Sequence, residues 1–317
     1  MQKAALLYNP NSGGNRRRKP RDIESVLTLL RGSGVQAEII PTPSSALAEQ
    51  AATRAVSDGC DTVFACGGDG TIHNVIQGLA NTSVALAVLP MGTANALAHD
   101  LHLPMNVVAA AQLAMSGIRR KIALGRLKYQ DLQGNPKQSY FAVASGIGVD
   151  AHLFYKLNPS VKQRLGMVAY YAKAWHMWFN YSMARFVVEY VESGSSEVKQ
   201  ANVTELLGVR IRNFGGVLRE LAPGASLERE DLRLVFCHTE KRMTYLSYVT
   251  RVLVGGNWSV PGIELAHSSK VSCRYALAEN GSSAAERKIY VEADGELLGT
   301  LPVEITTVPN ALTILAP

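Results

Sequence analysis

Over the first third of the chain, unbroken apolar runs alternate with stretches in which apolar residues recur every three or four positions. The runs Ala4–Tyr8, Ala37–Ile40, Asp61–Cys66 and Val84–Leu89 have the length and character of buried strands. Between them, Ile23, Val26, Leu27 and Leu30 share one helical face. Ala46–Val56, Thr71–Leu79 and Ala94–Leu101 read as helices too. Strand, turn and helix in repetition predict an α/β unit with a largely parallel sheet over residues 1–122.

The texture changes near residue 123. Tyr140–Ala144, Phe186–Val191, Gly208–Ile211, Leu232–Cys237, Val271–Tyr275 and Ile289–Glu292 are short, rich in β-branched or aromatic residues, and separated by turn residues. They predict an antiparallel sheet or sandwich over residues 123–302. One helix interrupts them, with Val161, Leu165, Val168, Ala172, Trp175 and Phe179 at helical steps.

Composition narrows the class. With 47% hydrophobic and 18% charged residues in 317, the chain can bury a large core and is not disordered. Its 27 Gly follow no triplet and its 4 Cys are too few for a disulfide framework. Cys60, Cys66, Cys237 and Cys273 lack zinc-ligand spacing, and a reduced, cytoplasmic setting suits them. The start of the chain is too short for a signal-peptide core, and no uncharged run reaches the roughly 18 residues that span a bilayer. The net charge of +6 suits phosphate ligands, nucleic acid or an anionic membrane without choosing among them.

Three glycine-containing turns each follow a predicted strand: Asn9–Gly14, Gly67–Thr71 and Pro90–Asn95. In a parallel sheet such turns gather at the carboxyl edge, where backbone N–H groups and helix N-termini bind phosphate. Ser12, Thr71 and Thr93 add hydroxyls. The P-loop, protein-kinase and dinucleotide signatures are absent, and Gly146-Ile147-Gly148 is only a fragment of the last. On the residues alone, Asp294-Gly295-Glu296 reads first as a hairpin turn. Its two carboxylates could also face a cleft, one of them taking a hydroxyl proton during phosphoryl transfer.

The ordered set of motifs resembles the diacylglycerol kinase catalytic-domain family, which includes bacterial soluble lipid kinases, sphingosine kinases and ceramide kinases. The resemblance rests on NPxSG at Asn9–Gly13, GGDGT at Gly67–Thr71 and P-x-GT-x-N at Pro90–Asn95. It continues through Ser145–Ala151, Asn213–Gly216 with Ala222–Ala225, Asp294-Gly295-Glu296 and Pro309–Leu312. It implies an N-terminal α/β nucleotide-binding domain similar to NAD kinase, a C-terminal β-sandwich-like lipid domain, and a cleft between them. The strand over 303–317 would pack back on the first domain. ATP would be held by Asn9, Ser12, Gly13, Thr42, Gly67, Gly68, Asp69, Gly70, Thr71, Gly92, Thr93 and Asn95. Glu296 would be the catalytic base with Asp294 assisting, Asp150 would meet the lipid, and Asp69 would reach the magnesium carried by ATP. The implied reaction is ATP-dependent phosphorylation of diacylglycerol or a related lipid at a membrane surface. A sphingoid or ceramide-type kinase and a soluble NAD kinase-like enzyme are the alternatives. The resemblance implies no nucleic-acid partner and leaves room for a homodimer.

This chain departs from the family pattern in places. Asn74 replaces the usual Glu after GGDGT, and His73 before it reads as a helix-face polar residue. Ala96 replaces an acidic residue, as in the sphingosine and ceramide branch. Arg229 stands where some bacterial members place a ligand for a structural magnesium, which argues against that second metal. More than half of the aromatic residues fall between 140 and 190, interleaved with Lys156, Lys162, Arg164, Lys173 and Arg185. They read either as core or as a peripheral surface at the inner membrane face. The Arg16–Arg21 run reads as a solvated loop or as a patch that steers anions.

Overall fold

The computed structural model describes residues 1–12, 19–148, 183–215, 220–256, 259–276 and 288–317. Gly13, Asp150, Arg16–Arg18 and the expected helix at Val161–Phe179 lie outside the described residues.

The first part runs β1 (Lys3–Tyr8), α1 (Lys19–Gly32), β2 (Gln36–Pro41), α2 (Ser45–Ser57), β3 (Thr62–Gly67), α3 (Asp69–Leu79), β4 (Ala85–Pro90), α4 (Ala96–Asp100) and α5 (Val107–Ser116). The strands lie parallel in the order β2-β1-β3-β4. Strand side chains alternate between faces. Ala5, Leu7, Val63, Ala65, Leu86 and Val88 therefore pack with α2 and α3, while Ala4, Leu6, Phe64, Cys66, Ala87 and Leu89 pack with α1 and α5. Both faces are covered, which is why β3 and β4 are apolar throughout. Helix α5 was not anticipated. Its start is marked by Asn106, whose side chain accepts the Ala109 N–H at 3.0 Å.

The second part contains β5 (Ile118–Gln130), β6 (Pro136–Phe141), β7 (Ala144–Gly148), β8 (Phe186–Glu192), β9 (Val198–Val203), β10 (Glu205–Val209), β11 (Leu232–Cys237), α6 (Arg242–Val254), β12 (Ile263–Tyr275), β13 (Tyr290–Ala293) and β14 (Glu296–Ala316). Neighbours in the sequence β14-β13-β7-β10-β11-β12 pair antiparallel, and β12 pairs with β14 again through Lys270 and Thr306, so these strands close on themselves. Phe141, Ile147, Phe186, Phe236 and Val291 fill the interior. Strand β14 leaves this ring, runs beside β5, and ends parallel to β4 with Thr313 opposite Ala85.

The expected strand Tyr140–Ala144 is in fact a junction. Strand β6 stops at Phe141 and β7 starts at Ala144. The cause is local: the N–H groups of Ala142, Val143 and Ala144 turn toward the carboxylate of Asp294.

All four cysteines are buried and free. Among the described residues no helix is long and apolar enough to cross a membrane.

Candidate active site

The parallel strands end level. Tyr8 lies beside Cys66 and Gly67 beside Pro90, so the turns after β1, β3 and β4 emerge on one edge. They are tied to one another there. The Asn9 N–H donates to the Cys66 carbonyl at 3.1 Å, and its Nδ2 donates to Thr71 Oγ1 at 3.1 Å. Asn9 Oδ1 accepts the Asn11 N–H at 2.9 Å, and Ser12 Oγ donates to the Asn9 carbonyl at 3.0 Å, which shapes the first turn.

The second and third turns touch backbone to backbone. A methyl group at Gly68 would lie 3.1 Å from the Cα of Gly92, and one at Gly92 would lie 2.8 Å from Asn95 Oδ1 and overlap Gly68. A side chain at Gly67 would overlap Thr71. Asn95 adopts a left-handed conformation (φ 52°) and its Oδ1 accepts the Gly92 N–H at 2.8 Å. The carboxylate of Asp69, in the first turn of α3, accepts the N–H groups of Asn95 at 2.9 Å and Ala96 at 2.7 Å. Burial raises the Asp69 pKa, those two hydrogen bonds pull it down, and the charge of Asp294 adds to the rise. Thr42, just beyond β2, donates its N–H to the Tyr8 carbonyl at 2.8 Å, while its buried Oγ1 has no hydrogen-bond partner among the described residues. Thr93 is exposed on the third turn.

The acidic motif is the hairpin turn that its residues first suggested. Asp294 (φ 49°) and Gly295 (φ 82°) form the two-residue turn between β13 and β14, closed by the pair Ala293 and Glu296. Two successive positive φ values make this a hairpin turn that Asp-Gly favours. The hairpin meets the second glycine turn, because a side chain at Gly70 would collide with Glu296 Oε1. Burial raises the Glu296 pKa; the charge of His73 opposes that and the charge of Asp294 reinforces it.

The Asp294 carboxylate is heavily occupied. It accepts the N–H groups of Ala142, Val143 and Ala144 at 3.1, 2.9 and 3.1 Å. His73 Nδ1 lies 3.2 Å from Asp294 Oδ2, and His73 Nε2 lies 3.3 Å from Ser139 Oγ. His73, read from the sequence as a helix-face polar residue, is 3% exposed, because α3 packs against β6 at this point. Four residues on, Gln77 donates to the Tyr140 carbonyl and accepts the Tyr140 N–H and the Ser139 hydroxyl. Asn74 turns back on its own helix and donates to the Gly70 carbonyl at 2.7 Å.

Sequence reasoning also missed how α4 is held. Asp100 Oδ1 accepts the N–H groups of Arg212 and Asn213 at 2.9 and 2.8 Å, and Gly215 (φ 78°) packs on the His99 ring, where a side chain would not fit. The Asn-Phe-Gly block therefore braces the helix that follows the third turn.

Two metal questions arise. Among the described residues no three His, Cys, Asp or Glu side chains converge to hold an ion. At Leu227–Asp231 the side chains do not fit a metal. Arg229 forks onto Asp231 with both contacts at 2.7 Å, and Ser193 Oγ and His267 Nδ1 reach the same carboxylate. Burial would raise the Asp231 pKa, and the bonds from Arg229 and Ser193 with the charge of His267 outweigh it, holding it at about 2. The neighbouring carbonyls are taken by Arg210. Its Nη1 donates to Arg229 at 2.7 Å and Asp231 at 2.6 Å, and its Nη2 to Ala123 at 3.0 Å and Leu227 at 3.4 Å.

The fold thus brings an acidic hairpin onto the edge where the glycine turns emerge. Residues 3–127 match the diacylglycerol kinase catalytic domain, and residues 142–316 match the YegS C-terminal NAD kinase beta sandwich-like domain. The chain thus belongs to the diacylglycerol kinase catalytic-domain family. It is 27% identical over 320 residues to a diacylglycerol kinase of Bacillus subtilis (strain 168), covering 100% of this chain and 97% of the relative. It is 25% identical over 318 residues to a diacylglycerol kinase of Staphylococcus aureus (strain MRSA252), covering 100% and 93%. A crystal structure of a diacylglycerol kinase from Bacillus anthracis str. Sterne superimposes with a TM-score of 0.69 at 18% identity, over 100% and 97% of the two chains. Yeast NADH kinase complexed with NADH gives 0.53 at 11% identity, over 100% and 84%. The expected fold class is the one found: a kinase with an α/β first part similar to NAD kinase and a β-sandwich-like second part.

Proposed function

We propose that this kinase transfers the γ-phosphate of ATP to a hydroxyl of diacylglycerol or a closely related lipid. The observation that carries the reading is the contact between Glu296 and Gly70, which sets a carboxylate of one lobe against the phosphate turn of the other. Residues 1–122 with the terminal strand supply the nucleotide side, and residues 123–302 the lipid side.

The site fits a triphosphate tail. The unpartnered Thr42 hydroxyl offers a donor, and the Gly68–Gly92 contact leaves bare backbone where a side chain would intrude. Asn9 and Thr71 lock the first two turns together, with Ser12, Gly67 and Thr93 completing the rim, and Gly13 is assigned to the nucleotide by its family motif alone. Bound magnesium would neutralise charge on the transferring phosphate. Asp69 is assigned to a metal-bound water, since a carboxylate that accepts the Asn95 and Ala96 N–H groups keeps lone pairs for a further donor. The lipid hydroxyl oxygen forms the new bond to Pγ as the bond from Pγ to the β-bridging oxygen breaks. The hydroxyl proton passes to Glu296, and ADP departs. Asp294, saturated by N–H donors, holds the turn rather than taking the proton. Asp150, in the matching family segment, is assigned to the lipid's polar groups, and the inner membrane face is where this lipid would be met.

Phosphate transfer from labelled ATP into mixed micelles tests the reading. Incorporation into diacylglycerol, with matched ADP release, is the expected result. Labelling of sphingoid base or ceramide instead would change the lipid, and labelling of NAD alone would overturn the reading.

Two further outcomes follow. Gly92→Ala forces two backbones apart, so nucleotide affinity should fall about tenfold or more while the circular dichroism spectrum is unchanged. Because the Glu296 pKa is raised, its basic form accumulates only above the usual carboxylate range. The acid limb of kcat/KM against pH should therefore lie higher than about 4.3, the value of an ordinary Glu.

A further inference from the structure

We propose that His73 is a positioning residue for phosphoryl transfer, linking the nucleotide helix α3 to the catalytic hairpin through Asp294. The inference rests on the function proposed above. Among the described residues, four donors surround Asp294. Three are backbone N–H groups from the β6–β7 junction, which belongs to the same ring of strands as the hairpin. The fourth, His73 Nδ1, comes from α3, two residues beyond Thr71. The three N–H groups fix the hairpin within its own part of the fold, and His73 fixes it relative to the phosphate turn.

The tautomer follows from the partners. A carboxylate that already receives three N–H groups acts as an acceptor, so His73 Nδ1 carries the hydrogen. Nε2 then accepts from the Ser139 hydroxyl, whose one hydrogen is shared between it and Gln77 Oε1 of the same helix. His73 is consequently held on both sides, in a buried setting where its ring cannot swing to solvent. Glu296 stands two residues from Asp294 and against Gly70, so a tilt of the hairpin moves the base relative to the γ-phosphate. An error of about 1 Å at that distance costs on the order of 10²-fold in rate.

The test compares His73→Leu and His73→Asn with the wild type. Leu fills the space without a donor, while Asn keeps an N–H that reaches toward the same carboxylate. His73→Leu should lower kcat by about 10–100-fold with the KM for ATP within about threefold of wild type. His73→Asn should recover most of that loss. Amide hydrogen exchange over 142–144 and 294–295 should quicken in the Leu variant and return toward wild type in the Asn variant. Equal kcat in all three proteins, or equal loss in both variants, would overturn the inference. If His73→Leu does not fold, the Asn variant decides alone: kcat more than about tenfold below wild type, or exchange as fast as in an unstructured loop, counts against it. If the wild type moves no phosphate to any lipid, the functional reading fails instead, and hydrogen exchange still decides whether His73 secures Asp294.

Discussion

Glu296→Gln should lower kcat for lipid phosphorylation by about 10²–10⁴-fold and leave the KM for ATP nearly unchanged. The amide keeps the shape of the carboxylate and its place against Gly70, so the nucleotide turns need not move. What it loses is the ability to receive a proton. The loss should appear in the chemical step, seen as a slower single turnover with pre-bound ATP. It should also remove the acid limb of the pH profile, because the group whose raised pKa sets that limb no longer titrates. A variant with wild-type single-turnover rates would exclude Glu296 from the proton transfer.

The same hairpin shows what a sequence can and cannot carry. Asp-Gly between apolar runs announces the turn, because two successive positive φ angles suit few other pairs. The glycine turns are equally legible: each sits between a buried strand and a helix start, and spacing in the chain reproduces their order in space. His73 is different. Its partners are 66 and 221 residues away, and one polar residue on an apolar helix gives no sign of which neighbour it meets. The long strands β5 and β14 escape the hydrophobic pattern for another reason, and only the family resemblance pointed to a strand over 303–317. Each passes from one hydrophobic cluster to another, so its burial pattern changes part-way and breaks the period of two. Pro302, Pro309 and Asn310 further disguise β14, and Arg119, Arg120 and Lys121 make the start of β5 look like a solvated loop.

Arg210 was invisible to sequence reasoning, since its partners are carbonyl oxygens, and its loss should produce the largest change in stability. The side chain is fully buried, and its guanidinium satisfies carbonyls from Ala123, Leu227, Arg229 and Asp231. Burial pushes its pKa down to about 10, with Asp231 and Glu230 acting against the fall, so it remains charged at neutral pH. Arg210→Met keeps the volume and strands those carbonyls, each costing about 1–3 kcal/mol when buried and unpaired. Relaxation recovers part of this, and a net loss of about 3–5 kcal/mol should move the thermal midpoint down by roughly 10 °C. Arg210→Lys should fall between, because one ammonium cannot fan out to four oxygens as a planar fork does. The wild-type midpoint should be insensitive to chelator, because the cation that binds this loop is part of the chain. Arg210 also connects to the acidic hairpin: its N–H donates to the Val143 carbonyl at 2.8 Å, and the Val143 N–H donates to Asp294. Arg210→Met should therefore lose kcat at temperatures where most of it is still folded. A midpoint within about 2 °C of wild type would show that the carbonyls find other partners.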